Sequence, residues 1–140
     1  MSLSTYLTFD GSCREAFEFY RSVFGGEFQS FQTFADAPPD LPVPEAEKNQ
    51  VMHVSLPIGS SVLMGSDRGT GFGPPVVVGN NFSIALDGES REDVDRVFAA
   101  LSEGGNVIMP LQETFWGAYY GLWTDKFGIN WMANYTLPTK

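Results

Sequence analysis

The sequence predicts an α+β fold built from two βαβββ modules, and three observations carry that prediction. The segment Thr8-Phe9-Asp10-Gly11-Ser12-Cys13-Arg14-Glu15 returns as Ala85-Leu86-Asp87-Gly88-Glu89-Ser90-Arg91-Glu92, with Asp10 and Asp87, like Arg14 and Arg91, 77 positions apart. Each copy leads into an amphipathic run that closes on a glycine pair, Gly25-Gly26 or Gly104-Gly105. Three further alternating runs follow each. A long unit present twice is a duplicated supersecondary module rather than a stacked array. One helix from each half would cover the outer face of a curved mixed sheet, whose inner face would surround a cavity.

Residues 4–9 alternate and read as the first strand. Asp10-Gly11 turns the chain, and Ser12 with Glu15 forms a capping-box pattern that starts a helix. Ala16, Tyr20, Val23 and Phe24 fall at helical spacing, with Phe17 widening the stripe. Gly25-Gly26 supplies the positive φ of a helix C-terminus. Residues 28–34 alternate Phe with Gln or Ser as a second strand. Residues 35–50 hold four prolines and four acidic side chains and read as a solvated loop. Residues 51–56 and 61–64 complete the first module, at 1–67.

Residues 68–81 form a Gly/Pro-rich linker. Its Gly69, Gly71 and Gly73 imitate a nucleotide-binding loop, but Pro74-Pro75 follows instead of a helix, so that reading fails. The second module, at 82–140, opens with a strand at 82–86. Val94, Val97, Phe98 and Leu101 mark its helix, and residues 106–110, 118–123 and 129–135 its remaining strands. Gly121 inside a strand implies a bulge or a close backbone approach. Residues 1–140 then make one domain.

The formal charge of −9 argues against nucleic acid as a partner, because no basic patch offsets phosphate repulsion. Cys13 is the sole cysteine, so no intrachain disulfide or thiolate cluster forms, and a small buried residue is its expected role. No stretch is apolar enough to span a membrane and no signal pattern opens the chain, which makes the cytoplasm the expected location.

Four separated motifs resemble the vicinal oxygen chelate superfamily of glyoxalases, extradiol dioxygenases and fosfomycin- and bleomycin-resistance proteins. They are Ala16-Phe17-Glu18-Phe19-Tyr20-Arg21-Ser22-Val23-Phe24-Gly25-Gly26, Val51-Met52-His53-Val54-Ser55-Leu56, Met109-Pro110-Leu111-Gln112-Glu113-Thr114-Phe115-Trp116-Gly117 and Thr124-Asp125-Lys126-Phe127-Gly128-Ile129-Asn130-Trp131-Met132. They are most similar to the PhnB-like branch. That branch also carries a demethylubiquinone-methyltransferase label, yet no motif for a methyl-donor cofactor is present. The resemblance implies metal ligands on the first and last strands of each module, which here fall on Tyr6 and Met64 and on Ser83 and Met132. Phenol, hydroxyl and thioethers are a poor set for Zn²⁺, Mn²⁺, Mg²⁺ or Fe²⁺, so no cofactor and no superfamily metal is expected.

His53 is the sole histidine, and imidazole is the side-chain type suited to proton transfer near neutrality, though a strand histidine is more often packed. Glu113 beside Phe115 and Trp116 is the other acid–base candidate, if apolar neighbours raise its pKa. Trp116, Tyr119 and Trp123 offer a flat apolar wall, or alternatively core, with Tyr120 and Leu122 on the opposite strand face. With Tyr6, Thr8, Met64, Ser83 and Met132 they complete the expected ligand-binding set. Asp10, Arg14, Asp87 and Arg91 recur at strand-to-helix corners and read as structural. Three functions follow: a small-molecule-binding protein, expected as a homodimer with no membrane or nucleic-acid partner; a metal-free enzyme using Glu113 or His53; or a metal-dependent lyase or dioxygenase.

Overall fold

A computed structural model describes residues 1–69 and 73–138. Gly71 of the glycine-rich run lies outside them, as do the ends of the linker's central stretch at 70 and 72. The chain divides into two compact units, Met1–Val77 and Val78–Lys140. The first holds β1 (Thr5–Phe9), α1 (Cys13–Phe24), β2 (Ser30–Thr33), β3 (Val51–Ile58) and β4 (Ser61–Asp67). The second holds β5 (Ile84–Asp87), α2 (Arg91–Ser102), β6 (Asn106–Glu113), β7 (Ala118–Thr124) and β8 (Asn130–Thr136). Among the described residues no helix is long and apolar enough to cross a membrane.

Each unit contains one four-stranded sheet, ordered β1-β4-β3-β2 and β5-β8-β7-β6. The outer pairs β1–β4 and β5–β8 run parallel and the other neighbours antiparallel. The duplication read from the sequence is therefore a duplication of topology, and the class is α+β. Parallel neighbours need a crossover, and each module's helix lies on that path.

In the first unit Leu7, Phe9, Val54, Leu56 and Leu63 are buried beneath α1, which buries Cys13, Ala16, Phe17, Tyr20 and Val23. Gly65 lets the Phe17 ring settle onto β4: a Cβ there would stand 2.6 Å from Phe17 Cε2. The second unit repeats the scheme with Val94, Val97 and Leu101 of α2. Phe98 meets Trp123 edge-to-face, with ring centroids 5.1 Å apart.

The structure corrects the expected start of α1. Ser12 occupies the N-cap position but its side chain makes no capping hydrogen bond. The buried carboxylate of Asp67 does this work from the end of β4, accepting from Gly11 N–H at 2.9 Å and Cys13 N–H at 3.0 Å. Its other oxygen accepts from Val51 N–H at 2.9 Å. In α2 the local cap does form, with Ser90 Oγ accepting from Asp93 N–H at 3.0 Å. Each helix still ends at its glycines, Gly25 at φ 79° and Gly104 at φ 77°.

Strand limits move as well. β2 stops at Thr33, because Asp36 accepts from Thr33 N–H and turns Phe34–Asp36 into a 3₁₀ helix. A second short 3₁₀ turn, Glu45–Glu47, interrupts the 35–50 loop. β6 runs on to Glu113, beyond its expected end at Pro110, with register shifts between Val107 and Met109 and between Met109 and Gln112. Those bulges let an edge strand absorb a proline. Gly121 is the expected close approach, since a Cβ there would stand 2.9 Å from Leu111 Cδ2.

Candidate functional site

Strand alternation gives each sheet a face under its helix and a helix-free face. On the first sheet, register places Tyr6 beside Met64, Met64 beside Ser55, and Ser55 beside Ser30. These four side chains form one row across the helix-free face. Thr8 pairs with Ser66 in the next row of the β1–β4 ladder. His53 belongs to the same face by its spacing from Ser55 and pairs across the sheet with Gln32.

Tyr6 and His53 meet on this face. Tyr6 Oη lies 3.2 Å from His53 Nδ1, and the rings stack with centroids 5.8 Å apart at 25°. Tyr6 remains 46% exposed. Two residues separately singled out in the sequence thus form one hydrogen-bonded pair. The Ser30 and Ser55 hydroxyls share a 2.9 Å hydrogen bond. Ser30, Ser55 and Gln32 were missed, since small polar residues on alternating strands carry no signal of their own.

On the second sheet Tyr120 pairs with Asn134, and Leu122 with Met132. The Tyr120 hydroxyl lies 4.0 Å from Met132 Sδ, and Trp116, 59% exposed, packs 6.1 Å from the Tyr120 ring. Trp116, Tyr120 and Met132 therefore form an aromatic and thioether cluster on the helix-free face.

Tyr119 and Trp123 lie against α2 instead. Trp123 is 0% exposed and serves packing. The Tyr119 hydroxyl donates to Asp95 Oδ1 at 2.6 Å, a bond that raises its pKa above the ordinary tyrosine value. Alternation separates Tyr119 and Trp123 from Tyr120 and Leu122, as the sequence predicts. It is silent on which half meets the helix, and here the helix takes Trp123.

Glu113 stands in no apolar pocket. Its carboxylate, 61% exposed, pairs with Arg91 at 2.7 Å, and that hydrogen bond raises the Arg91 pKa. The Arg91 guanidinium also covers the Tyr119 ring at 4.1 Å, and Arg14 covers Phe31 at 4.9 Å. Both repeated arginines thus tie a helix start to a strand aromatic. Cys13 is fully buried, and burial pushes its thiol pKa up, reinforced by the nearby charge of Asp67.

The positions at which the superfamily holds a metal present poor ligands. Tyr6 and Met64 are true neighbours. Met132, however, stands beside Ala85, two residues beyond Ser83, so it matches Ser66 rather than Met64. The residue matching Met64 is Asn130, whose Oδ1 accepts from Thr124 and whose Nδ2 donates to Gly79 and Phe82 carbonyls. Phenol, thioether, hydroxyl and an engaged amide do not fit a divalent cation. Among the described residues no three His, Cys, Asp or Glu side chains converge.

A family model described as 3-demethylubiquinone-9 3-methyltransferase matches residues 1–133. The chain belongs to that family. It is the PhnB-like group to which the four sequence motifs pointed. This family member is 33% identical to Protein YjdN of Escherichia coli (strain K12), over 96% of this chain and 95% of that protein. It is similar to the crystal structure of protein PA1353 from Pseudomonas aeruginosa, at 39% identity and a TM-score of 0.87 over 99% of each chain. A glyoxalase/bleomycin resistance protein/dioxygenase family enzyme from Burkholderia phytofirmans PsJN shares the fold at 21% identity and a TM-score of 0.57, over 95% of this chain and 98% of that one.

Proposed function

We propose that this PhnB-like protein binds a small organic molecule on the helix-free face of its first sheet, without the superfamily metal. The Tyr6–His53 pair is the observation that carries this reading. It joins two polar ring edges at 3.2 Å on a face otherwise built of Met64, Thr8 and serine hydroxyls. Convergent polar groups beside two ring surfaces and a thioether suit a small molecule that carries both polar atoms and a flat body. Tyr6, Thr8, His53 and Met64 would line it. In the second unit Trp116, Tyr120 and Met132 offer a comparable surface, with Ser83 at its edge.

A second reading, acid–base catalysis without a metal, draws on the same pair, since imidazole is the side chain suited to proton transfer near neutrality. Glu113 fits that role poorly, because it is committed to Arg91. A homodimer is also proposed, supported by β6, an edge strand with Val107 and Ile108 exposed.

A thermal-shift screen of planar aromatic and carbonyl compounds tests the binding reading, because a ligand that binds the folded state raises Tm. The expected result is stabilisation by at least one compound, lost in His53→Ala. Hits that stabilise His53→Ala equally well would exclude this face. Retention of stoichiometric Mn²⁺ or Zn²⁺ after dialysis would favour the metal-dependent alternative.

A further inference from the structure

We infer that Tyr6 holds the neutral His53 ring in one tautomer, with its proton on Nε2, so that this face presents an N–H donor to a neutral carbonyl compound. The inference rests on the ligand-binding reading above and names the class of molecule that the site would take.

The hydrogen bond between Tyr6 Oη and His53 Nδ1 engages one ring nitrogen. Among the described residues neither side chain has another hydrogen-bonding partner, so Nε2 is uncommitted. A phenol O–H is a stronger donor than a neutral imidazole N–H, and a bare imidazole nitrogen a stronger acceptor than a phenol oxygen. The proton of the shared bond therefore belongs to Tyr6. Nδ1 is then the acceptor, which leaves the ring proton on Nε2. A half-turn of the imidazole would bring Cδ2 to the place where Nδ1 now meets the phenol and forfeit that bond, so the bond itself holds the ring orientation. Tyr6 acts through His53 and is a positioning residue.

The charge of the ligand follows from what β1 to β4 lack. Apart from His53, their residues include one ionisable acid or base of ordinary charge, Asp67. Its carboxylate is buried on the helix side, holding Gly11, Cys13 and Val51 amides. The helix-free face thus offers neither a cation for an anionic ligand nor an anion for a cationic one. Beside the hydroxyls of this face and the Gln32 amide, it offers the His53 N–H next to an apolar thioether and a phenol ring. A neutral molecule with a carbonyl acceptor and a flat apolar body answers that arrangement.

His53 is the sole histidine, so its two ring nitrogens can be read without assignment by two-bond ¹H–¹⁵N correlation on the uniformly labelled full chain at alkaline pH. The expected spectrum has Nε2 fully protonated and Nδ1 bare, with the two ¹⁵N shifts drawing together in Tyr6→Phe, which keeps the ring. A proton on Nδ1, or a Tyr6→Phe spectrum identical to wild type, overturns the tautomer assignment. These spectra are recorded without ligand, so their outcome is separate from that of the binding reading. Acetophenone and ethylbenzene, which differ in the carbonyl, then test the ligand class by titration against the His53 signals. Acetophenone should bind about five- to tenfold more tightly, the worth of one hydrogen bond. Equal binding overturns the carbonyl assignment, and binding of neither overturns the ligand reading while the tautomer result stands.

Discussion

The carboxylate of Asp67, the last residue of β4, receives the amide proton of Cys13, the first residue of α1, at 3.0 Å. One buried side chain thereby caps the helix, closes the turn at Gly11 and fastens the start of β3 through Val51. Asp67→Ala would strand three amide donors, and hydrogen bonds to a charged acceptor contribute about 1.5–3 kcal/mol each, not additively. Urea unfolding should show a loss of roughly 3 kcal/mol or more. A loss below about 1 kcal/mol would show that the cap carries little weight.

The two helix-starting serines should behave differently. Ser90→Ala removes a side-chain cap and should cost about 1 kcal/mol. Ser12→Ala removes no capping bond and should stay within about 0.5 kcal/mol of wild type. Equal costs in chemical denaturation would contradict the assignment of Asp67 as the cap of α1.

Burial first, and then the charge of Asp67, raise the Cys13 thiol pKa against a smaller opposing pull from Arg14. In the unfolded chain the thiol ionises near about 8.5, so between the two values the folded state binds more protons. The stabilisation is complete below the unfolded pKa and declines as pH rises toward the folded one. From pH 8 to 10 wild type should lose more stability than Cys13→Ala, with a difference approaching about 1 kcal/mol per pH unit. Parallel stability–pH curves for the two proteins would refute this. Thiol reagents should label Cys13 only on unfolding.

Trp131 and Trp123 are both fully buried, but their indoles differ. Trp131 Nε1 donates to Asp125 Oδ2 at 2.8 Å, whereas Trp123 Nε1 meets no acceptor among the described residues. Trp131→Phe loses a charge-assisted bond, while Trp123→Phe relieves an unpaired donor. Thermal or urea unfolding should find Trp131→Phe less stable than Trp123→Phe by about 1.5 kcal/mol or more. The reverse order would disprove the assigned environments.

Local patterns made much of this molecule legible. The Asp-Gly-x-x-Arg-Glu repeat, the helical stripes and the glycine stops mark α1 and α2 because they act within a few residues of themselves. The α1 cap escaped notice because its acceptor lies 54 positions from Cys13. Tyr6 and His53 were each visible as candidates, but only the strand order β1-β4-β3 brings them within reach. The face of Tyr119 and the pairing of Glu113 depended on where α2 and Arg91 came to rest. Period-two alternation sorts residues into faces without saying which face is covered.

Each sheet joins its first strand to its last, Tyr6 to Met64 and Ala85 to Met132. A nascent chain leaving the ribosome would therefore carry β1 and α1 as unfinished pieces until Asp67 emerged. Closing so wide a loop comes before any reward from the contacts it makes, which delays folding. The first half has every strand of its own sheet before the second half is synthesised, so nothing in its strand order obliges it to wait for the second.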